Sequence, residues 1–176
     1  MIKVEITDGG VVEAFNRLIA LGENPQGALM GIGEVMQQFT RERFIQSEDP
    51  YGEAWAPNAD ATLRAALHGG SRNFTKKGAL SKKGASFLAN KKPLIGDSRS
   101  LSTQFASTVL GSDTVTLTSL MGYAAIHNFG GQAGRGHKVT IPARQIFPDE
   151  QRGLPQRLQD EISGVLRSAL EGAWNG

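Results

Sequence analysis

The chain has no cysteine among its 176 residues. This absence excludes disulfide bonds, zinc sites built on thiolates and cysteine nucleophiles. No apolar run approaches the roughly 18 residues that a membrane-spanning helix needs. The first eight residues carry charges where a secretory signal has an apolar block. We therefore expect a protein that is made in a cytoplasm and does not enter a membrane.

Acidic residues are missing from one stretch of the chain. Residues 61–96 contain eight of the 19 basic residues and none of the 17 acidic ones. This segregation predicts a mildly negative body that carries a positively charged arm. Such an arm can meet DNA or an acidic protein surface, and its binding should weaken with salt. The eight residues are Arg64, Arg72, Lys76, Lys77, Lys82, Lys83, Lys91 and Lys92.

Length and composition indicate a single domain over residues 1–176, long enough to bury a core of its own. The 22 glycines and 7 prolines indicate many loops. Residues 68–92 consist mainly of Gly, Ser, Lys and Asn, a composition that predicts a mobile basic loop. A loop of this length inside a compact domain is unusual unless it serves as a binding element.

Hydrophobic residues at helical spacing predict helices over residues 11–21, 25–47 and 154–174. A shorter helix is predicted over residues 59–67, with Asp60 as its cap. The second helix contains several glycines in its first half, which predicts close packing of that half against another backbone. These glycines are Gly27, Gly31 and Gly33.

Alternation of apolar and polar residues predicts a first strand over residues 2–7. Residues 104–110 and 114–119 predict a β-hairpin, and residues 139–141 another strand. Residues 123–129 are expected to form one or two helical turns. The fold class is therefore α+β, with N-terminal helices and a C-terminal helix packed on a small antiparallel sheet and a long basic loop.

His127 is the first candidate for chemistry. A hydrolytic site would pair it with a serine (Ser98, Ser100 or Ser119) and an aspartate (Asp97 or Asp113). The sequence offers no nucleophile elbow or oxyanion loop for such a site. We interpret His127 as a helical residue that packs beside Tyr123 and Phe129 and hydrogen-bonds to backbone or to a neighbouring subunit. The chain is expected not to be an enzyme.

Metal and cofactor sites are not indicated. The histidines, His68, His127 and His137, have no second ligand at helical spacing. The glycine-rich run at residues 130–137 follows a helical turn and precedes a strand, the reverse of a phosphate-binding loop. We expect no metal and no cofactor, and interpret this run as a flexible linker.

Three interpretations of the basic arm remain open. Phe74 and Phe87 lie among the lysines, so the arm can contact DNA through charge and base stacking. It can equally be a solvated loop that keeps the protein soluble. In a third interpretation it docks on an acidic neighbour during assembly and becomes ordered only then.

Two further residue types suggest subunit contacts. Trp55 and Trp174 are expected to be core or interface anchors. Arg144 follows a proline at a strand end, where its guanidinium can pair with a carboxylate of the same or of the next subunit.

An ordered series of motifs resembles the phage virion morphogenesis family, the tail completion proteins of Mu-like phages. The resemblance covers roughly residues 37–170. Ser98-Arg99-Ser100 departs from it, because many relatives have Thr-Gly there. The motifs are Pro50-Tyr-Gly52-Glu-Ala-Trp55, Leu94-Ile-Gly-Asp97-Ser-Arg-Ser-Leu101, Tyr123-Ala-Ala-Ile-His-Asn-Phe-Gly-Gly131 and Ile141-Pro-Ala-Arg144-Gln-Ile-Phe147.

The resemblance implies a structural protein of the virion, assembled in the host cytoplasm and located in the tail or neck. It implies a homo-oligomeric ring of six or twelve copies that completes the tail and joins it to the capsid. Neighbouring neck, portal-side or tail-tube proteins would be its partners, with DNA passing in the channel. The alternative is a DNA-binding assembly factor that acts through residues 72–92. The expected contact residues are Arg72, Lys76, Lys77, Lys82, Lys83, Trp55, Tyr123, His127, Arg135, Arg144 and Phe147.

Overall fold

The computed structural model describes residues 9–68, 70 and 72–175, with backbone alone for residues 9–12, 14 and 15. Within these ranges the chain forms seven α-helices and two two-stranded antiparallel sheets, which confirms the α+β class. The helices are α1 (Gly9–Glu23), α2 (Gln26–Gln46), α3 (Asp60–His68), α4 (Lys82–Asn90), α5 (Ser100–Thr103), α6 (Ala124–Phe129) and α7 (Gln156–Asn175). The strands are β1 (Phe105–Leu110), β2 (Thr114–Ser119), β3 (Gly131–Ala133) and β4 (Val139–Ile141).

Most of the predicted elements are present. The long helices α2 and α7, the β1–β2 hairpin and strand β4 lie within two residues of their predicted bounds. The predicted strand at residues 2–7 lies outside the described residues. Asp60 is the first residue of α3 and does not precede it, so the prediction of a cap is wrong. Its carboxylate instead stabilises α3 through the positive end of the helix dipole.

The prediction of a loop over residues 68–92 is wrong for residues 82–90, which form helix α4, whereas residues 72–81 form turns. Phe74 pairs with Leu80 in an isolated antiparallel bridge. Between them the N–H of Gly78 donates to the carbonyl of Thr75 at 2.9 Å, and Gly78 adopts a φ of 78°. Residues 72–92 hold seven of the eight cations of the positively charged stretch at residues 61–96, and we restrict the name basic arm to them. Its mobility stays a prediction.

Helix α4 depends on contacts that its composition does not reveal. The Ser81 hydroxyl caps it by accepting a hydrogen bond from the N–H of Gly84 at 3.0 Å. A Cβ at Gly84 would lie 2.3 Å from the carbonyl oxygen of Asn73, so only glycine allows the helix to pass this backbone. Asn73 is buried, and its Nδ2 donates to the carbonyl of Leu67 at 2.9 Å. The helix therefore forms through its neighbours rather than through an apolar stripe.

The predicted linker at residues 130–137 is a compact hairpin. Strand β3 pairs antiparallel with β4, with Gln132 opposite Thr140. A short 3₁₀ helix, Arg135–His137, connects the two strands. Gly134 and Gly136 have φ angles of 78° and 72°, a conformation that glycine adopts without strain. The glycines thus shape a tight connection.

Two compact units account for the contacts of the chain. The terminal unit contains the described residues of Met1–Phe39, Phe105–Thr118 and Asp149–Gly176. The central unit contains those of Thr40–Gln104 and Ser119–Pro148. The single-domain assignment stays a prediction. Of the helices in the described ranges, none is long and apolar enough to span a bilayer.

In the terminal unit, α1 packs against α7. The side chain of Arg17 donates to the carbonyls of Ala173 at 2.7 Å and Trp174 at 2.9 Å. These carbonyls belong to the last turn of α7, where helical partners are lacking and a positive charge is favourable. Phe39 and Leu158 are almost completely buried and form part of the core of this unit.

The glycines of α2 explain how closely this helix is packed. A Cβ at Gly33 would lie 2.8 Å from Cβ of Ser107, and one at Gly31 would lie 3.0 Å from Cγ1 of Val165. The space beside Gly27 is open. Close packing is therefore present at two of the three glycines, and it is against side chains rather than backbone.

Replacing Gly33 should destabilise the protein. Gly33→Ala pushes a methyl group against strand β1, which should lower the free energy of unfolding by about 1–3 kcal/mol. Gly27→Ala is the matched control, because it places the same methyl group in open space and should raise the free energy by about 0.5–1 kcal/mol. Urea unfolding of both variants measures the difference. Equal stability of the two would contradict the packing described.

Candidate functional site

A cleft of about 790 Å³ lies within the central unit. Its walls come from α3, α4, the segment before α5, α6 and β4. Apolar and cationic side chains line the cleft together. It therefore combines apolar surface, whose removal from water is favourable, with positive charge. The apolar residues are Phe87, Leu94, Ile95, Leu101 and Ile141, and the cations are Lys83, Lys91 and Arg144.

Arg144 forms one wall of the cleft and is 6% exposed. Its Nε donates to the carbonyl of Ala56 at 2.7 Å, and its Nη2 donates to the carbonyl of Pro57 at 2.7 Å. The predicted carboxylate pair within the chain is therefore replaced by two backbone carbonyls. A pair with another subunit stays a prediction. The fork fixes the guanidinium and joins the strand end to the Trp55 segment.

The side chain of Trp55 is buried in the central unit. It is 6% exposed, its Nε1 donates to the carbonyl of Gln145 at 2.9 Å, and its ring meets that of Phe44 edge-on at 5.1 Å. This burial favours the core interpretation of Trp55 over the interface one.

Asn128 is a residue whose role the sequence did not indicate. Its buried Oδ1 accepts hydrogen bonds from the N–H groups of Ile146 at 2.8 Å and Phe147 at 3.1 Å. The carbonyl of His127 accepts a third, from the N–H of Arg144 at 2.7 Å. Helix α6 thus holds residues 144–147 along their backbone. A lone asparagine in an apolar helical turn is the signal that the sequence offered.

His127 lines the cleft, with its ring edge-on to Tyr123 at 6.0 Å between centroids. Its Nδ1 is buried and has no hydrogen-bond partner, so the predicted bond to backbone is wrong. Phe129, the other predicted neighbour of the His127 ring, is 78% exposed. Burial, and secondly the charge of Arg144, lower the pKa of His127 below 6.5. The surroundings of the imidazole therefore favour its neutral form.

The residues of the candidate hydrolytic site share one cleft, but the hydrogen bonds of the described structure do not link them as a catalytic relay. Ser98, Ser100 and Asp97 line the same cleft as His127. However, the Ser100 hydroxyl donates to the Ser98 hydroxyl at 2.9 Å, and the Asp97 carboxylate lies 3.9 Å from Nζ of Lys91. The imidazole Nδ1 engages none of them. The cleft presents cationic and apolar side chains beside these hydroxyl groups.

The predicted contact residues divide into two groups. Lys83, Tyr123, His127 and Arg144 meet in the cleft. Phe147 is half-buried, and its backbone is held by Asn128. Trp55 is buried. The other five are exposed and lie outside the cleft lining; they are Arg72, Lys76, Lys77, Lys82 and Arg135.

The aromatic residues of the basic arm contact their own chain. Phe74 stacks on His68 with centroids 5.2 Å apart. Phe87 lines the cleft, and its ring centroid lies 5.7 Å from Nζ of Lys91. These contacts disfavour base stacking by the arm.

The profile of the phage virion morphogenesis family matches residues 6–171. The chain therefore belongs to this family, which confirms the resemblance and assigns a role in phage virion assembly. It is similar to Mu-like prophage FluMu G protein 2 of Haemophilus influenzae, with 44% identity over 48 residues. That alignment covers 26% of this chain and 35% of the relative, so the match spans about a third of the relative's length. No solved structure matches the chain.

Arg144 should be intolerant of a conservative change. An ammonium group cannot reach two carbonyls in the way that a guanidinium fork does, so Arg144→Lys should cost about 1.5–3 kcal/mol of unfolding free energy. Arg135→Lys, at an exposed position, is the control and should change stability by less than about 0.5 kcal/mol. Thermal or urea unfolding measures both. A fully stable Arg144→Lys protein would show that the fork is dispensable.

His127 should make stability depend on pH. Its folded pKa lies below 6.5, so below that pH the unfolded chain binds the proton more readily than the folded chain. Stability should therefore fall as pH drops from about 6.5 toward the lowered pKa. His127→Gln removes this contribution, so wild type should lose stability relative to the variant across that range. Parallel curves of unfolding free energy against pH would contradict the neutral buried imidazole.

Proposed function

We propose that this protein is a structural component of the phage neck, where it completes the tail and joins it to the capsid. The observation that carries the proposal is the family match over residues 6–171, supported by the way the motif segments are bound together around one cleft. The serines and the aspartate of the cleft form no hydrogen bond to the Nδ1 of His127. The proposal therefore assigns the protein to virion assembly and not to catalysis.

The placement of charge in the basic arm supports a docking role. Lys76 and Lys77 occupy the turn between Phe74 and Leu80, and both are exposed. Lys82 and Lys83 are the first residues of α4, where positive charge opposes the helix dipole and costs stability. Residues that reduce stability in this way are typical of functional surfaces. We infer that these lysines contact an acidic surface of a partner protein.

The arm is a capped, hydrogen-bonded turn and helix, so it docks as a formed element. Charge steers such an element toward its partner and sets its orientation. Copies of the chain then form a ring through heterologous interfaces that close on themselves. Six copies would suit the tail and twelve the portal side. Neighbouring neck, portal-side or tail-tube proteins would lie above and below, with the protein incorporated into the virion.

The second candidate is a DNA-binding assembly factor acting through residues 72–92. The exposed lysines of the arm favour it, while the intramolecular contacts of Phe74 and Phe87 do not. It predicts that the protein binds bare duplex DNA. The slope of log affinity against log salt concentration should become shallower by about one for each phosphate-contacting lysine that is removed. The lysines to replace are Lys76, Lys77, Lys82 and Lys83.

Without the protein, capsids and tails should form but should not join. Phage whose gene for this chain is disrupted should accumulate filled capsids and tails that do not join, because the connecting component is missing. Electron microscopy of lysates and plaque counts measure this outcome. Normal virions made without the protein would eliminate the proposal.

Complementation tests the arm within the same system. A chain carrying Lys76→Gln, Lys77→Gln and Lys82→Gln should restore joining poorly, because the charge that steers docking is removed. Lys138→Gln with Arg167→Gln is the control, since both positions are exposed and lie outside the arm. Equal rescue by the two chains would show that docking does not use the arm.

A further inference from the structure

We propose that the cleft of the central unit binds an extended peptide segment of a partner protein, in which a carboxylate stands next to an apolar side chain. The segment adds as a third strand beside β4. This inference rests on the proposed assembly function, because it names the chemistry of one partner in that assembly.

Strand β4 offers an edge for such a segment. Within the described residues its sheet has two strands, so β4 is paired there with β3 on one side only. All three residues of β4 line the cleft, and none of β3 does. Side chains of a strand alternate between its faces, so consecutive lining residues indicate that the cleft runs along the strand's edge. An added strand satisfies the backbone groups of such an edge.

The apolar walls define what the side chains of the segment must be. The cleft volume of about 790 Å³ lies within the range of pre-formed binding sites. Phe87, Leu94 and Ile95 line it while only half-buried, and Val139 is 57% exposed. An apolar side chain that covers them gains from the removal of this surface from water.

The charge of the cleft indicates that the bound segment also carries a carboxylate. Lys83, Lys91 and Arg144 line the cleft against a single carboxylate, that of Asp97. Asp97 is fully exposed, and its carboxylate lies 3.9 Å from Lys91, too far for a tight pair. Arg144 bonds only to neutral carbonyls within the described structure. The cleft therefore has an excess of positive charge that an acidic segment neutralises.

His127 adds an unsatisfied polar atom to the wall of the cleft. Its buried Nδ1 has no partner, which is unfavourable until a ligand or rearrangement supplies one. A neutral imidazole nitrogen is either a donor or an acceptor, and a peptide backbone offers a matching group in both cases.

Binding of a designed peptide to the purified full chain tests the inference. The probe is acetyl-Val-Asp-Leu-Asp-Val-amide, and its control is the same peptide with Asn in place of Asp. Isothermal titration should give an affinity for the acidic peptide about tenfold higher, corresponding to the gain from partly exposed ion pairs. In NMR spectra the acidic peptide should shift the amides of β4 and the ring of His127.

Matched variants separate the two lysines of the arm that line the cleft from two that lie outside it. Lys83→Gln with Lys91→Gln should reduce the affinity for the acidic peptide about tenfold, to that of the neutral one. Lys76→Gln with Lys77→Gln removes the same charge outside the cleft and should leave the affinity unchanged. Circular dichroism checks that both proteins are folded.

Backbone methylation tests the strand addition itself. N-methylation of alternate residues of the probe in one register removes donors to β4 and should weaken binding at least about tenfold, whereas methylation in the other register should not. Equal affinities of the acidic and neutral peptides, unchanged β4 and His127 signals, or indifference to methylation would each overturn the inference. A duplex DNA that shifts the same signals would overturn it as well. Such a failure leaves the neck proposal intact, because virion joining tests that proposal separately.

Discussion

The central unit depends on the backbone hydrogen bonds that fasten residues 144–147 to helix α6. The side chain of Asn128 receives two N–H groups of this segment, and the carbonyl of His127 receives the N–H of Arg144. These bonds position the Arg144 guanidinium so that its fork reaches the carbonyls at residues 56 and 57. Three motifs that are distant in sequence become one structure through this arrangement. Removing any one partner leaves buried polar groups unsatisfied, so these bonds help to specify the structure of the unit.

The same arrangement creates the cleft and its unusual polar character. Arg144 is fixed in place by neutral carbonyls, and no carboxylate of the described residues pairs with its charge. His127, on the helix that holds it, retains a nitrogen without a partner. Buried groups of this kind are unfavourable for a free monomer and become favourable when a neighbour supplies the missing charge and hydrogen bonds. A protein that works by successive docking steps gains from this, because each site is formed before its occupant arrives.

Sequence patterns predicted the elements whose stability is local. The periodicity of α2 and α7 and the alternation in β1 and β2 are visible in single segments, and the motif series identified the family. Helix α4 and strand β3 escaped prediction because they depend on distant contacts: Gly84 fits only against the Asn73 backbone, and β3 exists only beside β4. The site residues Lys83, Tyr123, His127 and Arg144 were selected individually. Their meeting in one cleft, and the role of Asn128, follow from tertiary structure that no local pattern encodes.

The central claim is that this chain acts as a built-in part of the phage particle, by geometry and docking. Quantitative mass spectrometry of purified virions, normalised to a capsid protein of known copy number, tests it most directly. The account predicts that the chain is retained in finished particles at a small fixed number of copies, six or twelve per virion. Absence of the chain from infectious particles would contradict it.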